Sequence, residues 1–73
     1  MRSMEGIVTI VQEGRFQLTD DVGVSHLCIL DRNAAAEPGQ LAPLQRRQAR
    51  VRVRYTRPRN LIGFLIHSVA LAG

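Results

Sequence analysis

The 73-residue chain has no lysine, no tryptophan, a single cysteine and no acidic residue beyond Glu37. Each scarcity removes a class of explanation. With Cys28 alone, no disulfide can form within the chain, and a reducing compartment suits it. The most apolar stretch, "LIGFLIHSVALAG" at 61–73, is 13 residues long and interrupted by His67 and Ser68. That is short of the ~20 residues a membrane-spanning helix needs. The opening "MRSMEGIVTI" lacks the long apolar core and the cleavage site of a secretory signal. These features predict a soluble, cytoplasmic protein.

Reactive constellations are missing as well. Asp20 and Asp21 are adjacent, so they face opposite ways on a strand and are solvated in a turn. Neither arrangement lets two carboxylates share a proton. Ser25 and His26 are neighbours without a positioned acid or a nucleophile elbow, and no glycine-rich phosphate loop is present. His26 and Cys28 share a strand face, and His67 could approach them, but there is no CxxC, second cysteine or HxxxH to make a metal site. Cys28 reads as a small core residue. The facing of His26 stays open, because "VSHLCIL" is apolar on both parities. The sequence thus predicts no enzymatic activity, no metal, no cofactor and no small-molecule substrate.

What is present is a globular composition, 45% hydrophobic and 22% charged, in a length that makes one domain, 1–73. So short a chain buries only about 60% of its unfolded surface. Charge is divided along it. Residues 1–40 hold three arginines against six acids, a net of −3, whereas 41–73 hold seven arginines and no acid, a net of +7. Two faces of opposite sign are expected, the basic one suited to a polyanion or an acidic protein. A GC-rich genome also yields arginine without lysine, but arginine's planar fork of donors does match phosphate.

Patterning predicts strands. Ile7–Val11 is β-branched with no helical stripe, "QEG" at 12–14 is turn-like, and "RFQLT" puts Phe16 and Leu18 on one face. "DDVG" at 20–23 carries hairpin-turn chemistry, and "VSHLCIL" at 24–30 completes a three-stranded antiparallel meander. From Asp31 to Gln48 the β-branched residues vanish. A short helix is expected over about 41–48, docked through Leu41 and Leu44, with Pro43 in its first turn and Arg46 and Arg47 in its last. "ARVRVRYT" then alternates strictly: Val51, Val53 and Tyr55 face one way, Arg50, Arg52 and Arg54 the other. "RPRN" makes the turn, and "LIGFLIHSVAL" gives a final strand apolar on both faces. The predicted class is all-β, a small β-barrel with one short helix in the order β-β-β-α-β-β. That order matches the five-stranded OB-fold, closure removing edges that would invite aggregation. The alternative, an SH3-like barrel, normally lacks a helix at that point.

The opening "EGIVTIVQEGRFQLTDDVG" resembles bacterial translation initiation factor one and related RNA-binding OB repeats. The resemblance rests on Glu5, Gly6, Val8, Val11, Gly14, Phe16, Leu18 and Gly23. It implies an OB barrel to about Val69 and a capacity for nucleic acid. Where that factor has a basic loop after its third strand, this chain has the nearly neutral "DRNAAAEPG", so a place at the ribosomal decoding site does not carry over. The base-reading aromatic motifs of cold-shock domains, a related group, are missing too.

On such a barrel Arg50, Arg52 and Arg54 form an outward row at about 6.5–7 Å spacing, near the phosphate spacing of an extended single strand. Arg57 and Arg59 continue it into the following loop, a loop that OB-folds use for oligonucleotides. Arg46, Arg47, Arg15, Gln17 and Tyr55 complete the predicted nucleic-acid site, Arg15 and Gln17 from the outer face of the second strand. Phe16 and Phe64 are expected in the core, so binding should depend on phosphate rather than on stacking. The predicted ligand is single-stranded nucleic acid, RNA before DNA. The competing reading makes the basic face a protein-interaction or self-association surface, meeting an acidic partner or a second copy. Leu61, Ile62, Leu65 and Leu71, more than one barrel buries, would favour that dimer. A plain solvated edge defended by charge is the third reading.

Overall fold

The computed structural model describes residues 1–72. Its strands are β1 (Arg2–Gln12), β2 (Arg15–Thr19), β3 (Ser25–Ala35), β4 (Arg50–Thr56) and β5 (Phe64–Leu71). A 3-10 turn, Pro38–Gln40, leads into a single short helix, α1 (Leu41–Arg46). The strands make one closed five-stranded sheet in the order β1-β2-β3-β5-β4, with β4 pairing back onto β1. All ladders are antiparallel except β3–β5, which is parallel.

Strand β1 is long because it serves two neighbours. Arg2–Ile7 pair with β4, and Ile7–Gln12 pair with β2. The switch requires a bend, and Gly6 sits at it. A β-carbon there would meet the Thr19 carbonyl oxygen well inside van der Waals contact, so the close approach of β1 and β2 depends on a residue without one. A bulge at Thr9 adds curvature on the β2 side.

Alternation fills the interior. Val8, Phe16, Leu18, Cys28, Val51, Val53 and Ile66 are buried from five different strands, and Leu41 closes the core from α1. Burying side chains of this size stabilises by about 1.5–3 kcal/mol each. The helix is shorter than the expected 41–48, because Gln48 takes a left-handed φ of 51°. The Gln48 and Ala49 amides donate to the carbonyls of Gln45 and Leu44, the paired bonds of a Schellman stop. Gln45 ties α1 to β1 by donating from Nε2 to the Thr9 carbonyl at 2.9 Å.

Two boundaries differ from the sequence expectation. Strand β3 continues through Asp31–Ala35, where composition suggested a loop, because Ala35 pairs with Ser68 beyond a register shift. The last strand starts only at Phe64, since Gly63 adopts a φ of 116° and lies against the Leu27 backbone. Ile62, ahead of the strand, is left 88% exposed, and Leu71, at its far end, is 67% exposed.

Candidate nucleic-acid interface

Strand β4 sets the geometry of the arginines. Val51 and Val53 are fully buried, and Arg50, Arg52 and Arg54 project outward between them. The three guanidinium groups share a side, but they do not share an environment.

The β4–β1 ladder places Glu5 directly opposite Arg52, and the turn between β2 and β3 brings Asp21 up to Arg50. Arg52 donates from Nε and Nη2 to Glu5 Oε2 at 2.9 and 2.6 Å. Arg50 donates from Nη1 and Nη2 to the two oxygens of Asp21, both at 2.7 Å. It also reaches Glu5 Oε1 from Nε at 3.3 Å and from Nη2 at 3.1 Å. Two positive and two negative charges therefore cancel over this half of the row. The hydrogen bonds from Arg52, then Arg50, hold the Glu5 carboxyl below the ordinary carboxylate range. Arg50 is in turn held above its usual value, chiefly by its bonds to Asp21. The open, continuous row expected from the sequence is thus interrupted by carboxylates from the acidic half. The cause is closure of the sheet, which sets residue 5 beside residue 52.

Beyond Arg52 the surroundings change. Arg54 stands across from Ser3 on β1 and Ser68 on β5, neither of them charged. At the end of β4 a cleft of about 350 Å³ is lined by Met1, Arg2, Tyr55, Thr56, Arg57 and Phe64. The Arg57 guanidinium carbon lies 5.3 Å from the centroid of the Phe64 ring, within cation–π range. Tyr55 meets the same ring edge-on at 4.7 Å, and His26 meets it at 5.4 Å, tilted by 53°. Among the described residues, Arg2, Arg54, Arg57 and Arg59 make no ion pair.

Phe16 is buried, as its alternation predicted. Phe64 is only half-buried: it packs against the core and carries Arg57 on its outside. Tyr55 keeps the inward parity of Val51 and Val53, but at the strand end it lines the cleft. Arg46 and Arg47 are exposed at the close of α1, which leads into the beginning of β4, whereas Arg57 and Arg59 follow its end. They belong to a different region of the surface. Arg15 is exposed at the β1–β2 hairpin, opposite Gln12 and Ile29. Gln17 lies between Ile10 and Leu27, both partly exposed. Gly63 packs on Leu27, so the β4–β5 loop borders this outer β2–β3 face.

Sequence reasoning missed the acidic clamp and the aromatic cluster. The clamp had one signal, Glu5 at the start of a strand bound to pair somewhere, but the pairing partner is a property of the closed sheet. The histidines also acquire partners that no motif announced. His26 Nε2 is 2.9 Å from Asp20 Oδ2, and Asp20 Oδ1 accepts the Val22 and Val24 amides that shape the turn. These bonds, that from His26 foremost, lower the Asp20 carboxyl below its ordinary range. His67 bridges Thr56 at 2.7 Å and Asp31 at 3.3 Å. Cys28 is fully buried, and desolvation pushes its thiol up to about 12. Among the described residues no group of His, Cys, Asp and Glu gathers as a metal site would, and no helix is long and apolar enough to cross a membrane. Comparisons with protein-family models, curated proteins and solved structures found no match for this chain.

Proposed function

We propose that the chain is an OB-fold barrel that binds single-stranded nucleic acid, RNA in preference to DNA, without catalysing a reaction. The fold reading is supported by the sheet order, by the parallel β3–β5 ladder and by the helix between β3 and β4. The observation that carries the functional reading is the cluster at the end of β4. There, Arg2 and Arg57, neither in an ion pair among the described residues, line a cleft with Tyr55 and Phe64, and Arg54 projects outward from β4 just before it.

In this reading phosphates pair with Arg54, Arg2 and the loop arginines Arg57 and Arg59. A base stacks on the outer side of the Arg57 guanidinium, which Phe64 backs from beneath; guanidinium planes serve bases in this way. One stacked base contributes about 1–3 kcal/mol, and the remaining affinity comes from phosphate neutralisation. Recognition of this kind follows the backbone and reads sequence poorly. With these four arginines each meeting a phosphate, the logarithm of affinity falls against the logarithm of salt with a slope of about −2.8, taking about −0.7 per phosphate on single strands.

The test is a fluorescence-anisotropy titration of the protein into labelled twelve-nucleotide oligo(U) and oligo(dT) between 50 and 200 mM salt. Binding with a slope between about −2 and −3 supports the reading. No binding to either strand at the lowest salt removes it. A salt-sensitive dimer in sedimentation without any oligonucleotide shift would favour the self-association reading, for which Ile62 and Leu71 are among the exposed apolar side chains.

A further inference from the structure

Resting on that reading of the arginine surface, we propose that Glu5 and Asp21 act as built-in competitors for phosphate. They occupy the Arg50 and Arg52 forks, so that the nucleic-acid footprint stops at Arg54.

A guanidinium has five N–H groups in a fixed fork that fits a carboxylate or a phosphate in the same bidentate way. Arg50 commits four of its five to Glu5 and Asp21, two of them to Asp21 in the side-by-side arrangement a phosphate would adopt. Arg52 commits two, both to Glu5 Oε2. Each oxygen of Glu5 thus faces a different arginine, and this one carboxylate links two neighbours in the row.

The two acids are held differently. Glu5 lies within β1, fixed by the ladder opposite Arg52, with its side chain 30% exposed. Asp21 sits in the turn between β2 and β3, with its side chain 61% exposed. The turn is shaped by Asp20, which accepts the Val22 and Val24 amides, and Asp21 has no part in those bonds. Removing the Asp21 charge therefore frees one face of Arg50 and leaves the turn intact. Removing both charges frees Arg50 and Arg52 and lengthens the free row from Arg54 back to Arg50. The acids set how many phosphates the surface can neutralise, and so how steeply binding depends on salt.

The experiment compares the unsubstituted chain with D21N, the double variant E5Q/D21N, and E13Q. The last removes the same charge from Glu13, which is exposed in the β1–β2 hairpin and makes no ion pair. Circular dichroism and thermal melts establish that each variant is folded, and the probe is labelled twelve-nucleotide oligo(U). D21N is expected to steepen the salt slope by about 0.7 and the double variant by about 1.4, with E13Q unchanged. Affinity at 50 mM salt should rise by about two- to fivefold per freed arginine. Wild-type binding with an unaltered slope in folded D21N and E5Q/D21N overturns the proposal and leaves the nucleic-acid reading standing. An equal gain in E13Q also overturns it, by showing a general effect of net charge. Absence of binding by all four proteins overturns both, whereas binding gained only on removing the acids supports the competitor role.

Discussion

Replacing Arg57 and Arg52 separately by alanine distinguishes a sorted surface from a merely basic one. The two residues are five apart in sequence and carry the same charge, yet their surroundings differ. Arg52 is held by Glu5 at 2.6 Å, whereas Arg57 pairs with no acid and rests on Phe64. Under the proposed reading, contacts from Arg2, Arg54, Arg57 and Arg59 should give a salt slope of about −2.8, so affinity for oligo(U) should fall about 50-fold between 50 and 200 mM salt. Arg57→Ala leaves three, a slope of about −2.1 and a loss of about 18-fold over the same range. It also takes away the cation–π contact and the stacking plane, together about 1–3 kcal/mol, which appears as weaker binding at every salt concentration. Arg52→Ala should leave the slope within about 0.2 of the wild-type value, because Glu5 already neutralises that side chain. Anisotropy titrations at four salt concentrations resolve these differences. Equal loss of slope in the two variants would refute the sorting of the row into paired and free members.

Gly6→Ala should destabilise the fold by several kcal/mol, seen as a large fall in the urea midpoint, because its methyl group is driven against the Thr19 backbone carbonyl, which cannot move aside. Gln48→Gly should raise stability by about 0.5–1 kcal/mol in the same assay, since glycine adopts the left-handed φ of 51° at a helix stop without penalty. Cys28 should resist thiol reagents at pH 8 in the native protein and react at once in denaturant, being buried with its thiol pushed up to about 12. Rapid native labelling would show that the core opens far more readily than its packing implies. Stability should be greatest above about pH 5 and decline on acidification through the unfolded carboxylate range near 4. The sign follows from Glu5 and Asp20, whose folded carboxyls titrate lower than in the unfolded chain, so the unfolded state takes up protons first. Asp20→Asn should flatten part of that acid limb, and an unchanged pH–melting profile would contradict the bond to His26.

Alternation and turn chemistry made much of the sheet legible. The valine–arginine repeat from Arg50 to Arg54 dictates which side chains are buried, and Phe16 and Leu18 follow the same rule on β2. The extension of β3 through Asp31–Ala35 was hidden, because its residues have weak strand preference and only Ala35 among them is in register with β5, opposite Ser68. Gln48 as a helix stop was hidden too, since only its backbone and not its residue type announces the left-handed turn. The site divides in the same way. That the arginines point outward follows from local periodicity, a property of neighbours in sequence. That Arg50 and Arg52 are neutralised follows from contacts to residues 29 and 47 positions away. Likewise, Phe64 reads as core by hydropathy, and only the assembled sheet sets Tyr55, His26 and Arg57 around it. Charge counted along the chain gave a basic half. Charge counted in space leaves arginines without ion pairs, among the described residues, on both sides of β4: Arg46 and Arg47 before its start, and Arg54, Arg57 and Arg59 at its far end.

The most direct test of a phosphate-binding surface at that end is an amide and side-chain NMR shift map with an unlabelled short oligo(U), recorded at low salt. The largest changes are expected at Arg2, Arg54, Tyr55, Arg57, Arg59 and Phe64, extending to Leu27 on the bordering β3 face, with Arg46, Arg47 and Arg15 little affected. Changes centred on α1 or on the β1–β2 hairpin, with the Phe64 ring and the Arg57 side chain unmoved, would contradict it.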